Sequence, residues 1–188
     1  MTQNEALDKF IVLLSQWNKK INLVQAGTMP DVLKRHIKDS LQVRDYLDKD
    51  NFVIDVGSGA GFPGIVLSIV GFSVVLCEKN FKKSVFLMDV KSRLNLDCDV
   101  FNGDVFDLKI PDEQRAKAVL ISRAFGSLLK LLEVMEKLNV SRGIFHKGES
   151  FQLEINEAKQ EFDFDYKVNQ SITNKKSVIL SISNVRRK

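Results

Sequence analysis

The fold is decided by residues 53–65, whose sequence is Val-Ile-Asp-Val-Gly-Ser-Gly-Ala-Gly-Phe-Pro-Gly-Ile. The first four residues are β-branched and apolar apart from Asp55, which is typical of a buried strand. Three alternating glycines, from Gly57 to Gly61, allow a tight turn and let a ligand approach the backbone. Pro63 suits the first turn of a helix, where its missing N–H costs nothing. The stretch therefore predicts a ligand cradle at the carboxyl end of a parallel strand.

The spacing of the glycines limits which ligand the cradle binds. A dinucleotide-binding loop has glycine at its first, third and sixth positions, but the sixth position counted from Gly57 is Phe62. The lysine of a phosphate-binding P-loop is also missing. The loop instead resembles the first motif of class I methyltransferases, which use S-adenosylmethionine (AdoMet), a ligand without phosphate. We therefore expect Asp55, Gly57, Ser58 and Gly59 to bind AdoMet.

The composition is that of an ordinary globular protein. The chain has 188 residues, 44% of them hydrophobic, which suffices for one domain with a sizeable core. Its net charge of +4 is compatible with an anionic partner but does not prove one. No apolar run approaches the roughly 20 residues that span a bilayer, and the N-terminus has no secretory pattern. Cys77 and Cys98 lie in apolar surroundings, which favours buried thiols in a reducing cytoplasm. We expect a cytoplasmic monomer that binds neither a membrane nor a metal.

The order of the predicted elements is that of a class I methyltransferase. Two amphipathic helices, over 4–17 and 30–47, precede the cradle, and Thr28 is the predicted N-cap of the second. The predicted strands are 52–56, 73–77, 99–101, 118–121 and 143–146, and the predicted helices between them are 62–70, 82–94, 128–138 and 151–162. Two further apolar segments, 162–168 and 178–182, predict an antiparallel hairpin at one edge of the sheet.

These elements predict a single α/β domain over residues 1–188. Residues 1–48 form an N-terminal helical extension in this scheme, and residues 49–188 form a Rossmann-like core. We expect a seven-stranded, mostly parallel sheet with right-handed crossovers, closed by the antiparallel hairpin.

Acidic residues follow two further predicted strands. Glu78 ends the second strand, at about the distance from Asp55 where ribose-binding acids occur, and its carboxylate can accept bonds from both ribose hydroxyls. Asp104 follows the third strand, where Val105 and Phe106 offer backbone groups and an apolar wall to an adenine. Each acid alone is also compatible with a surface turn, but beside the glycine loop they predict cofactor contacts.

Basic residues follow the fourth and fifth strands. Arg123 follows the fourth predicted strand, and Lys147 follows the fifth. The Asn/Asp-Pro-Pro-Tyr string that positions an exocyclic amine is missing around Arg123, which argues against N6-adenine chemistry. An arginine there suits an anionic or electron-rich substrate. Together with Arg35, these residues predict a basic rim that contacts phosphates, although each alone is compatible with a solvated surface charge.

The second predicted helix carries a further polar group. Arg35 and Asp39 have the spacing that lets them pair along one helical face. His36 lies between them in sequence, and from the residues alone it is best explained as a histidine at the boundary between helix and sheet.

Several strings of the sequence together resemble one family, the bacterial 16S rRNA guanine-N7 methyltransferases called RsmG or glucose-inhibited division protein B. The matches lie between about residues 10 and 150, in the family's order. The matching strings are Asn22-Leu23, residues 35–41, residues 55–64, Ser122-Arg123-Ala124-Phe125 and Lys147-Gly148. The combination is highly specific, although no single string is.

The resemblance implies methyl transfer from AdoMet to N7 of a guanine in the decoding-region hairpin of 16S rRNA, within the 30S subunit. It also implies roles for two sets of residues. The implied AdoMet contacts are Gly57, Phe62, Val105, Phe106 and Arg123, and the implied signature positions near the substrate are Arg35, His36, Asp39 and Lys147. The segment from Ser171 to Ser183 lacks the Gly- and Arg-containing string associated with the family's last hairpin, so substrate contacts from that hairpin stay open.

The acceptor determines the expected mechanism. Guanine N7 has a free lone pair and no proton to lose, so no general base is required and catalysis consists mainly of alignment. We expect Arg123 and Lys147 to hold a phosphate or the guanine O6, while Asp39 orients His36 or Arg35.

Three other functions stay open at this point. A methyltransferase of this fold could act on a small molecule or a protein, although the basic rim weighs against it. A non-catalytic AdoMet- or RNA-binding module is disfavoured by the intact Gly loop, Glu78 and Arg123. A dehydrogenase is the weakest alternative, because Phe62 replaces the third glycine.

Overall fold

The N-terminal part of the chain is helical. The computed structural model describes the backbone of residues 1–24 and 29–188, so the predicted N-cap Thr28 lies outside the described residues. Helix α1 (Gln3–Asn18) begins with a capping box, in which Thr2 Oγ1 accepts the Glu5 N–H and Glu5 Oε2 accepts the Thr2 N–H. Helix α2 (Met29–Val43) ends four residues earlier than predicted and continues as a 3-10 turn (Arg44–Tyr46), because Leu47 is already extended.

Strands and helices alternate after these two helices. The strands are β1 Phe52–Val56, β2 Ser73–Glu78, β3 Cys98–Asn102, β4 Ala118–Arg123, β5 Arg142–Lys147, β6 Phe162–Gln170 and β7 Val178–Arg187. The helices are α3 Gly64–Ile69, α4 Phe81–Leu94, α5 Asp112–Arg115, α6 Leu128–Leu138 and α7 Phe151–Glu161, with a 3-10 turn at Val105–Asp107. The predicted strands and the hairpin are therefore confirmed. The single-turn helix α5 and the 3-10 turns were not predicted, since they are too short to show a periodic apolar pattern.

The seven strands form one sheet in the order β3-β2-β1-β4-β5-β7-β6. The first five strands are parallel, while β7 runs antiparallel to both β5 and β6. The predicted Rossmann-like sheet with its C-terminal antiparallel hairpin is thus confirmed. Because β1 to β5 are parallel, the residues that follow them lie together at the carboxyl ends of these strands.

Helix α3 is shorter than predicted. The glycine turn extends to Pro63, which is the N-cap residue rather than a residue of the first turn, and the Phe62–Pro63 peptide bond is cis. The helix begins at Gly64, whose N–H has no partner inside the helix and donates instead to Asp55 Oδ2 at 3.1 Å.

Apolar side chains cover both faces of the sheet. On one face, Phe10 and Leu14 of α1 belong to the same buried cluster as Phe62 and Ile65, and on the other face α6 and α7 cover a second cluster. The Trp17 indole N–H donates to Asp89 Oδ2 at 2.8 Å, which joins α1 to α4. The boundary between an extension and a core at residues 48 and 49 stays a prediction.

The two cysteines are buried and free, as the sequence predicts. Burial raises the pKa of the Cys77 thiol to about 12, so this thiol stays protonated at neutral pH.

Candidate active site

The glycine loop leads from β1 to α3 and is anchored on β2. The backbone N–H groups of Gly57 and Ser58 both donate to the Cys77 carbonyl, at 2.9 and 3.0 Å. Gly57 has a φ of +71°, and a Cβ at this position would lie 2.7 Å from Cδ2 of Phe125. Only glycine combines this backbone conformation with so close a neighbour.

Two residues that were predicted to contact the cofactor lie beneath the loop, away from the cavity walls. Asp55 is completely buried, with Oδ2 bound by the Gly64 N–H, and the buried Ser58 hydroxyl donates to the Asp55 carbonyl at 2.9 Å. Burial raises the pKa of Asp55 to about 7, against the opposing effects of its hydrogen bonds and of Arg123. In this structure these two residues hold the loop in shape through their hydrogen bonds, and their contact with the cofactor stays a prediction.

Glu78, at the end of β2, is fixed by two backbone groups. Its Oε2 accepts the Gly59 N–H at 2.9 Å and its Oε1 accepts the Asn80 N–H at 2.8 Å. Because a carboxylate has about four acceptor positions, each oxygen keeps a lone pair for a further donor. Glu78 can thus bind two vicinal hydroxyls while it anchors the glycine loop.

A cavity of about 150 Å³ lies between the glycine loop and the ends of β2 and β3. Its lining consists of Gly57, Cys77, Glu78, Lys79, Gly103, Asp104, Val105, Phe125 and Lys130. Four of the predicted cofactor residues belong to this lining. Phe106 is not part of this lining; it is partly buried and packs against the second apolar cluster, and its N–H donates to Asp104 Oδ1 at 3.2 Å.

Phe125 is the feature of this cavity that the sequence did not reveal. Its ring lies against Gly57, and the Lys130 ammonium lies 5.5 Å from the ring centroid. The cavity is smaller than the roughly 300–1,000 Å³ of most ligand sites.

A second cavity, of about 310 Å³, lies beside the first at the ends of β4 and β5. Its lining consists of Arg35, His36, Asp39, Arg123, Ala124, His146, Lys147, Gly148, Ser171, Asn174 and Ser177. The structure thus brings together the five residues predicted to handle the substrate, although they come from α2, β4 and β5. We call this space the Arg123 cavity.

Arg123 lies between an aromatic ring and a carboxylate. Its Cζ is 5.3 Å from the centroid of the Phe62 ring, and its Nη1 is 3.9 Å from Asp39 Oδ2. This separation is too long for a hydrogen bond, and Nη1 is buried without another partner among the described residues. Arg123 was predicted for both cofactor and substrate, and in this structure it lines the Arg123 cavity and not the cavity at the glycine loop.

Phe62, another predicted cofactor contact, is not part of the lining of the cavity at the glycine loop. Its ring is buried between Phe10 of α1 and His36 of α2, with centroid distances of 5.2 Å to each. The Phe62 ring therefore supports the Arg123 side chain. A sequence motif alone does not distinguish this supporting role from contact with the cofactor.

The two histidines of the Arg123 cavity are neutral at pH 7. Burial, reinforced by the charges of Arg123 and Arg35, lowers the pKa of His36 to about 4. Burial also lowers the pKa of His146. The Nε2 of His146 lies 3.1 Å from the Asp39 carbonyl, which can only accept, so this nitrogen carries the proton. The Nδ1 atoms of both rings are buried without a partner in the described part of the chain.

Lys147 is not the free cation that we predicted for a basic rim. It is buried, and its Nζ donates to Glu154 Oε2 at 2.7 Å and to the Gly126 carbonyl at 2.8 Å. The same Glu154 oxygen accepts the Leu128 N–H at 2.7 Å. Lys147 therefore fastens the loop between β4 and α6, which carries Phe125, and its charge is compensated by Glu154.

Asp39 has different partners from those predicted. Within residues 35–188 it forms no ion pair with Arg35; its carboxylate accepts from Gln42 and Thr173 and faces Arg123. Its side chain does not orient His36. In place of the expected helical pair, Asp39 binds Thr173, which belongs to a loop from the far end of the chain.

That loop, residues 171–177 between β6 and β7, is the part of the site that the sequence left open. The Ile172 N–H donates to Gln42 Oε1 at 2.8 Å, and Ser171, Asn174 and Ser177 line the Arg123 cavity. The C-terminal hairpin thus closes one side of the cavity with polar side chains instead of glycine and arginine.

Two kinds of feature are missing from the described residues. No helix among them combines the length and apolar composition needed to cross a bilayer. Nor do three or more His, Cys, Asp or Glu side chains in that part of the chain come together as a metal site.

The chain is similar to known proteins in sequence and in fold. A family profile described as GidB, rRNA small subunit methyltransferase G, matches residues 3–183. Ribosomal RNA small subunit methyltransferase G of Rickettsia prowazekii is 39% identical over 184 residues, which cover 96% of this chain and 94% of the relative.

The solved structures with similar folds are more distant in sequence. Magnesium protoporphyrin IX methyltransferase of Synechocystis PCC 6803 superposes with a TM-score of 0.63 at 14% identity, covering 96% of each chain. A SAM-dependent methyltransferase of Aquifex aeolicus gives 0.61 at 16% identity, covering 90% of this chain and 97% of the other. These two support the fold, while the profile and the Rickettsia relative extend over nearly the whole sequence. The chain therefore belongs to the GidB family, the rRNA small subunit methyltransferase G proteins.

Proposed function

We propose that this enzyme transfers a methyl group from AdoMet to N7 of a guanine in the decoding-region hairpin of 16S rRNA. Membership of the GidB family supports methyl transfer to small-subunit rRNA. The observation that carries the proposal is the Arg123 cavity beside the glycine loop. There Arg123, His36 and His146 each keep a buried nitrogen without a hydrogen-bond partner among the described residues. Such atoms cost about 1–3 kcal/mol each, so the cavity is suited to a polar ligand.

The groups that line the smaller cavity suit the nucleoside part of AdoMet. Glu78 keeps acceptor positions for the two ribose hydroxyls, and Val105 offers an apolar surface next to Asp104 for the adenine. The Synechocystis enzyme of this fold was solved with SAM bound. When bound, AdoMet supplies a methyl group on a sulfonium, which is a strong electrophile.

The acceptor needs placement and not deprotonation. Guanine N7 attacks through its free lone pair, so no residue of the cavity has to act as a base. Arg123 is the donor available to hold the guanine O6 or a neighbouring phosphate, and Phe62 and Asp39 keep it in place.

The charges of the cavity suit a base that becomes cationic on methylation. The two histidines are neutral because their pKa values are lowered, and the charge of Lys147 is compensated by Glu154. Asp39 adds a negative charge within 3.9 Å of Arg123. The two histidines and Lys147 thus add little positive charge beside N7, and Asp39 offsets the charge of Arg123, which limits repulsion in the transition state.

The proposal extends to the setting of the reaction. We infer that the substrate is the 16S rRNA of the 30S subunit, that the enzyme acts as a monomer, and that it works in the cytoplasm, where ribosomes are.

Methylation of purified subunits tests the proposal. Tritiated AdoMet should transfer its label to 30S subunits from cells that lack this gene, and the labelled product should be N7-methylguanine. Subunits from cells with the gene are the control and should accept little. Label transferred to free metabolites or to ribosomal proteins, with none in 16S rRNA, would contradict the proposal.

A further inference from the structure

An aromatic side chain is exposed among lysines beside the cofactor cavity. Phe81 is 70% exposed, and its neighbours in sequence are Lys79, Asn80, Lys82 and Lys83. A ring so exposed gains little from folding, since its apolar surface stays in water. Its presence is therefore not explained by the core of the protein.

The backbone of this segment is held firmly. Glu78 Oε1 accepts the Asn80 N–H at 2.8 Å, the Asn80 side chain accepts the Lys83 N–H at 3.2 Å, and the Ser84 hydroxyl donates to the Phe81 carbonyl at 2.9 Å. Phe81 is thus presented to solvent from a fixed position.

The three lysines are not explained by ion pairing either. Within residues 1–24 and 35–188, neither Lys79 nor Lys82 nor Lys83 forms an ion pair. Two of them lie in the first turn of α4, where positive charge opposes the helix dipole and lowers helix stability. An exposed ring and uncompensated cations are what proteins use to bind single-stranded nucleic acid, through base stacking and phosphate contacts.

We propose that Lys79, Phe81, Lys82 and Lys83, the Phe81 surface, bind a single-stranded part of the rRNA outside the guanine site. An unpaired base stacks on the Phe81 ring, and the flanking phosphates contact the lysines. The surface adjoins the cofactor cavity through Lys79, on the β2 side, whereas the Arg123 cavity lies on the β4 and β5 side. The inference rests on the proposed function, because it assumes that rRNA is the substrate.

Substitutions at Phe81 test the stacking. Binding to undermethylated 30S subunits is measured by filter retention, and AdoMet affinity is measured by calorimetry. Since one stacked base contributes about 1–3 kcal/mol, Phe81→Ala should weaken subunit binding by about 5- to 150-fold and leave AdoMet affinity unchanged. Phe81→Trp should bind as tightly as the unmodified protein, and Phe81→Leu should bind as weakly as Phe81→Ala. If Phe81→Leu retains full affinity, the ring serves an apolar contact with a protein, and the inference is wrong.

The salt dependence tests the phosphate contacts. Lys82→Gln should lower the slope of log Kd against log salt concentration by about 0.7–0.9 for each phosphate that the lysine neutralises. Two exposed positions serve as matched controls, Leu153→Ala on α7, where the leucine is 65% exposed, and Lys109→Gln. Equal effects at the control positions, or an unchanged slope, would overturn the inference. If the unmodified enzyme methylates 30S subunits while the Phe81 variants bind normally, only the inference about the Phe81 surface is wrong. If the unmodified enzyme methylates no ribosomal substrate, the proposed function is wrong.

Discussion

Arg123 Nη1 lies 3.9 Å from Asp39 Oδ2, across the gap between β4 and α2. This relationship joins the methyltransferase sheet to the N-terminal helices at the one cavity that collects the predicted substrate residues. Arg123 lines this cavity and not the cavity at the glycine loop.

The first prediction concerns Arg123 itself. Arg123→Ala should lower kcat/KM for 30S methylation by about 30-fold or more, because it removes the proposed contact with the guanine O6 or a neighbouring phosphate. Truncating one partner of such a buried charged contact costs about 2–5 kcal/mol. AdoMet affinity measured by calorimetry should change less than threefold. The exposed Arg186→Ala is the control and should behave as the unmodified enzyme. Equal losses in AdoMet binding and in turnover would assign Arg123 to the cofactor.

The second prediction concerns the buried pair of Lys147 and Glu154. Removing either partner leaves an uncompensated charge, so Lys147→Met or Glu154→Gln should each lower the free energy of unfolding by about 3 kcal/mol. The double variant should lose less than the sum of the two single losses, as urea unfolding would measure. Additive losses would show that the pair does not act as a unit.

The third prediction concerns the contact between Gly57 and Phe125. Gly57→Ala would place a Cβ 2.7 Å from Phe125 Cδ2 and force alanine to a φ of +71°. We expect AdoMet affinity to fall by about tenfold or more, since the left-handed backbone alone costs about 1–2 kcal/mol. Adding Phe125→Ala removes the clash but not the backbone strain, so calorimetry should show partial recovery. Full recovery, or no loss in the first variant, would contradict this geometry.

The fourth prediction concerns pH and two buried groups with opposite effects. The pKa of His36 falls from about 6.5 unfolded to about 4 folded, so the unfolded chain binds more protons between these values and stability falls as the pH drops through this range. The pKa of Asp55 rises from 3.8 to about 7, so the folded state binds more protons and stability increases as the pH drops from 7 towards 4.

Single variants should separate these two effects. In His36→Gln, unfolding by urea should show a gain in stability from pH 7 to pH 5, because Asp55 then dominates. In Asp55→Asn, the same change of pH should lower stability, because His36 and His146, whose pKa is also lowered, then dominate. Identical pH profiles in both variants would refute the assignment.

The sequence predicts the sheet and the location of the site well, for a physical reason. Buried parallel strands are marked by apolar runs, and their carboxyl ends share one edge, so the residues after β1, β2, β4 and β5 must approach one another. Glu78 and Arg123 were found in this way.

Partners that depend on packing between distant segments were not predictable. The hydrogen bond from the Ile172 N–H to Gln42 joins residues 130 positions apart, and no local sequence pattern predicts it. Lys147 was expected to be free because its partner Glu154 belongs to the next helix, where an acid is ordinarily solvated. Asp55 and Phe62 belong to a correctly recognised motif, but the motif does not reveal which of its side chains are buried.

The proposed reaction modifies N7 of one guanine in 16S rRNA. The most direct measurement maps N7-methylguanine along the 16S rRNA of cells that carry the gene, lack it, or carry only its Arg123→Ala form. We predict one modified guanine in the decoding-region hairpin that is present in the first cells, absent from the second and strongly reduced in the third. The same modification in cells with and without the gene would contradict the account.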